Sequence, residues 1–225
     1  PSSNEPVRVT AHVDSALALT SVNLRHRIDS TNGDNAWQST GMHDDGSNGD
    51  HIAGDQIYTA SLTQYQGNNT IVQFYVEATS MGGKSALPKL GADRPGLWVV
   101  DNSGIPRDLR TQRFVISEQS LNAMGGTGES STFNYAFPRL SNHYFNTTFI
   151  SNEADIIYNC EIRKSGSPWT RSSGSNLSRA KWKTPGDRRF RGYSRRGIDN
   201  DAGGSRAYHN RIIRYWLYLF GHAAN

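Results

Sequence analysis

The chain has 225 residues, a formal net charge of +4, 35% hydrophobic residues and a single cysteine, Cys160. That length suits one large domain or two small ones with a real core. No run of eighteen apolar residues exists to form a membrane-spanning helix, and one cysteine excludes an internal disulfide framework.

Pro1-Ser2-Ser3-Asn4-Glu5-Pro6 reads as a linker, so the chain is expected to be a piece of a longer protein. Charge is spread unevenly. Residues 1–104 carry six basic and eleven acidic side chains, whereas residues 105–225 carry eighteen and nine. Halves of opposite sign predict two domains, 1–104 and 105–225, joined at the turn formers Asp101-Asn102-Ser103-Gly104-Ile105-Pro106.

In the acidic half, residues 7–13 alternate apolar and polar positions as a half-buried strand does. The pattern returns at 22–28, 57–62, 71–78 and 97–100, with turn signals such as Asn32-Gly33-Asp34, Gly67-Asn68-Asn69 and Gly82-Gly83 between the runs. Short strands at this spacing predict an antiparallel β-sandwich of immunoglobulin-like type. His12 and His26 are expected on solvent-facing strand positions.

The loop at residues 42–55 sets Asp44, Asp45, Asp50 and Asp55, with Asn48, among Gly46, Gly49 and Gly54. Oxygen ligands on a tightly turning backbone are what a hard cation such as Ca²⁺ requires, although the spacing is not that of an EF-hand. The other reading is that Asp and Asn cap turns by bonding their own backbone. The pattern Asp-Asp-Gly-x-x-Gly-Asp-x-x-Ala-Gly-Asp-x-x-Tyr-Thr resembles a signature of immunoglobulin-like modules in large secreted bacterial proteins. Over residues 5–101 that resemblance implies a spacer or adhesion module.

In the basic half, residues 109–116 read as a strand and Ser117 as the cap of a short helix. Gly125-Gly126-Thr127-Gly128 lacks the Gly-Lys-Ser/Thr of a phosphate loop and reads as a flexible loop. The aromatic-rich stretch 133–149 suits either a core strand pair or a stacking surface. Residues 156–162 form an apolar run, and from Arg163 to Arg196 eleven Lys or Arg face one acid, Asp187. Such a segment is either a solvated face or a place to hold an anion. Residues 206–220 place Ile212, Ile213, Trp216, Leu219 and Phe220 at helical spacing, with Gly221 as a stop. Asp199 and Asp201, just ahead, read as a cap and solvated loop or as metal ligands.

The run Ile156-Ile157-Tyr158-Asn159-Cys160-Glu161-Ile162-Arg163-Lys164-Ser165-Gly166-Ser167 resembles a strand and turn of the spore coat protein H (CotH) kinase family. Lys181-Trp182-Lys183, Phe190-Arg191-Gly192 and the stretch 208–221 are similar in order and spacing to the segments that come after that turn in the family. The resemblance covers about residues 108–225. It implies an α+β domain like the N-terminal part of an atypical protein-kinase fold, ATP and Mg²⁺ as cofactors, a protein substrate, and a bacterial surface or secreted location. It also implies phosphate contacts at Arg163, Lys164, Ser165, Gly166, Lys181 and Lys183, with Lys181 and Lys183 competing for one family position. The family's catalytic aspartates are expected beyond Gly221, so this chain by itself is expected to be inactive. The rival reading is a non-enzymatic extracellular module that binds polyanions such as acidic glycans or nucleic acid, in which Trp169, Trp182, Phe190 and Tyr193 would stack the bases of a single strand. Neither reading fixes the oligomeric state.

Overall fold

The computed structural model describes residues 1–30, 35–103, 112–124, 143–165, 179–192 and 194–199, with the backbone alone for Arg179 and residues 195–199. The helix expected at 206–220, the glycine-rich stretch 125–128, and Gly166, Ser167, Trp169, Tyr193 and Asp201 lie outside the described residues. The strands in chain order are β1 (Val7–His12), β2 (Leu19–Ile28), β3 (Gln38–Gly41), β4 (Ile57–Leu62), β5 (Ile71–Ser80), β6 (Gly83–Leu87), β7 (Gly96–Val99), β8 (Gln112–Ile116), β9 (Phe145–Ser151), β10 (Asp155–Lys164), β11 (Arg179–Lys183) and β12 (Arg195–Asp199). Between β8 and β9 runs α1 (Glu118–Ala123).

The chain divides into two compact units, one of residues 1–117 with 148–159 and one of 118–147 with 160–225. In the first unit β1 pairs antiparallel with β4, and β3-β2-β5-β6 form a larger sheet in which β7 also pairs with β5. β5 is central because both of its faces are buried. Val72, Phe74, Val76 and Ala78 join Val22, Leu24, Ala60, Leu62 and Trp98 in the main core. A smaller cluster packs Leu97, Val115 and Ile150 with Ile71 and Val99. Strand β2 reads out its burial by parity: Val22, Leu24 and His26 point inward.

The expectation for His26 is therefore corrected. Its side chain is 1% exposed. It shares the parity of Val22 and Leu24, and the core accepts it because both ring nitrogens are satisfied. Nδ1 lies 2.6 Å from the Tyr65 hydroxyl and Nε2 lies 2.9 Å from Thr40 Oγ1. His12 is exposed, as expected. Burial, with a smaller contribution from the Arg25 charge, pulls the His26 pKa below its ordinary value. The unfolded chain then binds the proton more readily than the folded one. This contribution is fully present above about pH 6.5 and is lost as the pH falls from there through the lower folded value. Chemical denaturation at pH 7.5 and 5.0 checks it: wild type is expected to lose more stability than His26→Gln, and parallel losses would sink the idea.

The fold-class expectation is also corrected. Among the described residues α1 is the only α-helix, six residues long, and the strand pairings are antiparallel, so the described residues do not build an α+β kinase-like arrangement. Nor do the pairings establish an immunoglobulin-like sandwich, since β1 and β4 form a two-stranded ribbon beside the larger sheet. The physical reason is that β11 and β12, in the stretch expected to lead into helix, are strands hidden under basic residues. Arg179-Ala180-Lys181-Trp182-Lys183 places only two apolar groups inward, and Asp199 is a residue of β12. The second sheet has the order β12-β11-β10-β9-β8, and β9 and β10 each contribute residues to both units. Among the described residues no helix is long and apolar enough to cross a membrane.

Candidate functional site

Two groups of polar side chains are gathered by the fold. The first lies in the loop between β3 and β4. Asp50 closes a tight turn, its amide donating to the Ser47 carbonyl at 2.8 Å. Asn48 and Gly49 between them have φ of 51° and 95°, as a type I′ turn requires. Gly46, Gly54 and Gln56 also sit in the left-handed region, so the loop folds back on itself. One consequence is that carboxylate atoms of Asp44, Asp50 and Asp55 all lie within 4.8 Å of one another, with Asp50 buried.

The same loop shows what its carboxylates already do. Asp44 accepts from the amides of Gly54, Asp55 and Gln56 at 2.8, 3.1 and 3.0 Å. Asp50 Oδ2 accepts from Gly46 at 2.6 Å, and Asp55 Oδ1 from Ile57 at 2.9 Å. Each carboxylate oxygen has two lone pairs, so acceptor capacity is left for a hard cation. Asp45 is turned elsewhere. Its Oδ1 takes the Ser47 hydroxyl and amide at 2.6 and 2.9 Å, which hold its carboxyl below the usual range. Asn48 is exposed and donates to Ser47 Oγ. Of the five residues expected to hold calcium, three converge, one caps a turn and one supplies turn geometry. At the rim Arg8 donates to His51 Nε2 at 2.8 Å.

The second group lies on β10 and β11, where antiparallel register sets Arg163 opposite Lys181 and Glu161 opposite Lys183. These four share one face because strand side chains alternate. The other face is apolar and buried, with Cys160, Ile162, Ala180 and Trp182. Lys164 belongs to that buried face, 5% exposed, and so is separated from Arg163 although it is the next residue in sequence. Ser165 is half-buried just past the end of β10.

On the cationic face Lys183 forms an ion pair with Glu161 and stands over the Tyr144 ring, 4.7 Å from its centroid. Arg163 stands over the same ring at 5.1 Å. Lys181 is exposed and, among the described residues, takes part in no ion pair. Among the described side chains of this group, three cations and one carboxylate leave a net positive charge. Glu161 and Tyr144 were not singled out from the sequence. The alternation of Glu161 with Arg163 could have flagged the first, whereas Tyr144 precedes β9 in a stretch that reads more readily as core. Trp182 and Phe190, proposed as stacking groups, are instead 3% and 4% exposed and pack against each other with ring centroids 6.0 Å apart.

No family model matches this sequence, and a search of curated proteins finds no match either.

Proposed function

We propose that this chain is part of a secreted or cell-surface bacterial protein in which the β10–β11 face holds phosphate groups for ATP-dependent phosphoryl transfer of the CotH type, and the acidic loop steadies an N-terminal spacer module with calcium. The observation that carries the reading is the placing of Arg163, Lys181 and Lys183 on one face by strand register. The ordered resemblance of residues 156–221 to the CotH kinases supports it.

Phosphoryl transfer is catalysed chiefly by positioning and by neutralising charge on phosphate oxygens. Exposed Lys181 and the planar guanidinium of Arg163 suit those oxygens, the latter bidentately. Mg·ATP would supply the transferable phosphoryl group. Glu161, engaged by Lys183, is not placed as a general base, so the proposal is binding without turnover by this chain itself. The acceptor would be a protein hydroxyl.

A generic polyanion module would use the same cations, but burial of Trp182 and Phe190 removes two of the four rings that single-stranded nucleic acid would stack on. Calorimetry with ATP, with and without Mg²⁺, separates the two readings. Metal-dependent binding is expected, weakened about tenfold or more in Lys181→Ala, since a hydrogen bond to a charged group contributes about 1.5–3 kcal/mol. A folded protein that ignores ATP yet binds a sulfated glycan or an oligonucleotide would establish the polyanion module instead.

A further inference from the structure

We infer that Tyr144 is a positioning residue of the cationic face: its ring holds Arg163 and Lys183 at a set spacing, so that the face suits an oligophosphate rather than a single phosphate. This rests on the phosphate-binding reading above.

Lys and Arg on an open strand sample many rotamers, and each must be ordered when an anion binds. Arg163 and Lys183 are not directly opposite but diagonal neighbours across β10 and β11, because their partners in register are Lys181 and Glu161. Diagonal positions on one sheet face lie roughly 7–8 Å apart, within reach of a shared aromatic group. Tyr144 fills that role, with Arg163 Cζ 5.1 Å and Lys183 Nζ 4.7 Å from the ring centroid. Both lie inside the range in which the negative face of an aromatic ring attracts a cation. Glu161 adds a second tether on Lys183, leaving a side chain that is 32% exposed but anchored. Two tethered cations and the exposed Lys181 thus form a spaced array, which several linked anionic centres can engage together and one orthophosphate cannot.

The test uses inorganic tripolyphosphate and orthophosphate as probes, with calorimetry on the wild type, Tyr144→Phe and Tyr144→Leu. Phe keeps the ring and Leu removes it. Tripolyphosphate is expected to bind wild type and Tyr144→Phe within a factor of about two of each other, and Tyr144→Leu about five- to tenfold more weakly, two cation–ring contacts being lost. Orthophosphate is expected to bind all three weakly and alike. A second readout does not depend on binding: ring current should shift the Lys183 side-chain methylene protons upfield in wild type and Tyr144→Phe, and not in Tyr144→Leu. If the Leu variant fails to fold, Tyr144→Met is read in the same way. Equal tripolyphosphate affinity in the folded Leu variant and wild type overturns the positioning role while leaving phosphate binding standing. A wild type that shows the ring-current shift but binds neither probe overturns the phosphate reading itself, and this inference with it.

Discussion

Adding 10 mM CaCl₂ should raise the thermal unfolding midpoint by about 5–10 °C, and Asp50→Asn should abolish the rise. Repulsion within the loop is the reason. Carboxylate atoms of Asp44, Asp50 and Asp55 lie within 4.8 Å of one another. At an effective dielectric of about 20, unit charges some 5 Å apart repel by about 3 kcal/mol. The loop partly offsets this through the amides that Asp44, Asp50 and Asp55 accept. A divalent cation among the three would turn repulsion into attraction.

Extracellular calcium modules bind at roughly 10⁻⁴–10⁻³ M. At about a hundredfold excess over the dissociation constant, binding stabilises by about 2.7 kcal/mol. For a chain of this size each kcal/mol moves the midpoint by about 2–4 °C. The sign of the variant's effect is diagnostic. Without calcium, Asp50→Asn relieves repulsion while its amide oxygen can still accept from Gly46, so it should be neutral or slightly stabilising. With calcium it should be the less stable protein. A wild-type midpoint unmoved by 10 mM calcium would mean that the loop is held by its own hydrogen bonds and that the aspartates are turn caps.

That loop was legible because oxygen donors and glycines announce themselves in sequence whatever surrounds them. The central strands were legible for a related reason. β2, β4 and β5 bury one or both faces and so carry runs of branched and aromatic residues. Strands β3 and β6 were not, because Gln38-Ser39-Thr40-Gly41 and Gly83-Lys84-Ser85-Ala86-Leu87 are largely exposed edge strands with little to bury. His26 was placed on the wrong face because a histidine at an inward position looks polar. Only the distant hydroxyls of Tyr65 and Thr40 make its burial tolerable.

The cationic face shows the same limit more sharply. Its three cations were named from sequence, yet their grouping depends on register between β10 and β11, which no local pattern encodes. Alternation along β10 separates Lys164 from Arg163, its neighbour in the chain, while register joins Arg163 to Lys181, eighteen positions away. It also brings both Arg163 and Lys183 within reach of Tyr144. Trp182 likewise reads as a stacking group among lysines until alternation along β11 turns it inward with Ala180.

Phe149→Ala should be the most damaging single truncation in the first unit, costing about 3–5 kcal/mol. Its strand, β9, is spelled Phe145-Asn146-Thr147-Thr148-Phe149-Ile150-Ser151, which sequence alone leaves open between a core strand and a stacking surface. The fold decides for core. Phe149 is 0% exposed and packs against Phe114 with ring centroids 5.2 Å apart and planes tilted by 43°. Thr148 on the same strand accepts the Leu97 amide at 3.0 Å, tying β9 to β7, where Leu97 belongs to the cluster with Val115 and Ile150. Removing the ring would leave a cavity that a sheet fixed on both sides cannot collapse to fill. A loss of this size is a large fraction of the roughly 5–15 kcal/mol that holds a domain together. Urea unfolding checks it, through a midpoint that falls while the slope stays constant. Phe149→Leu, which refills most of the volume, should cost markedly less, and Met81→Ala, at a position 93% exposed, should change stability by no more than about 0.5 kcal/mol. A Phe149→Ala protein as stable as Met81→Ala would mean that β9 presents this ring to solvent, and the stacking-surface reading of the aromatic stretch would return.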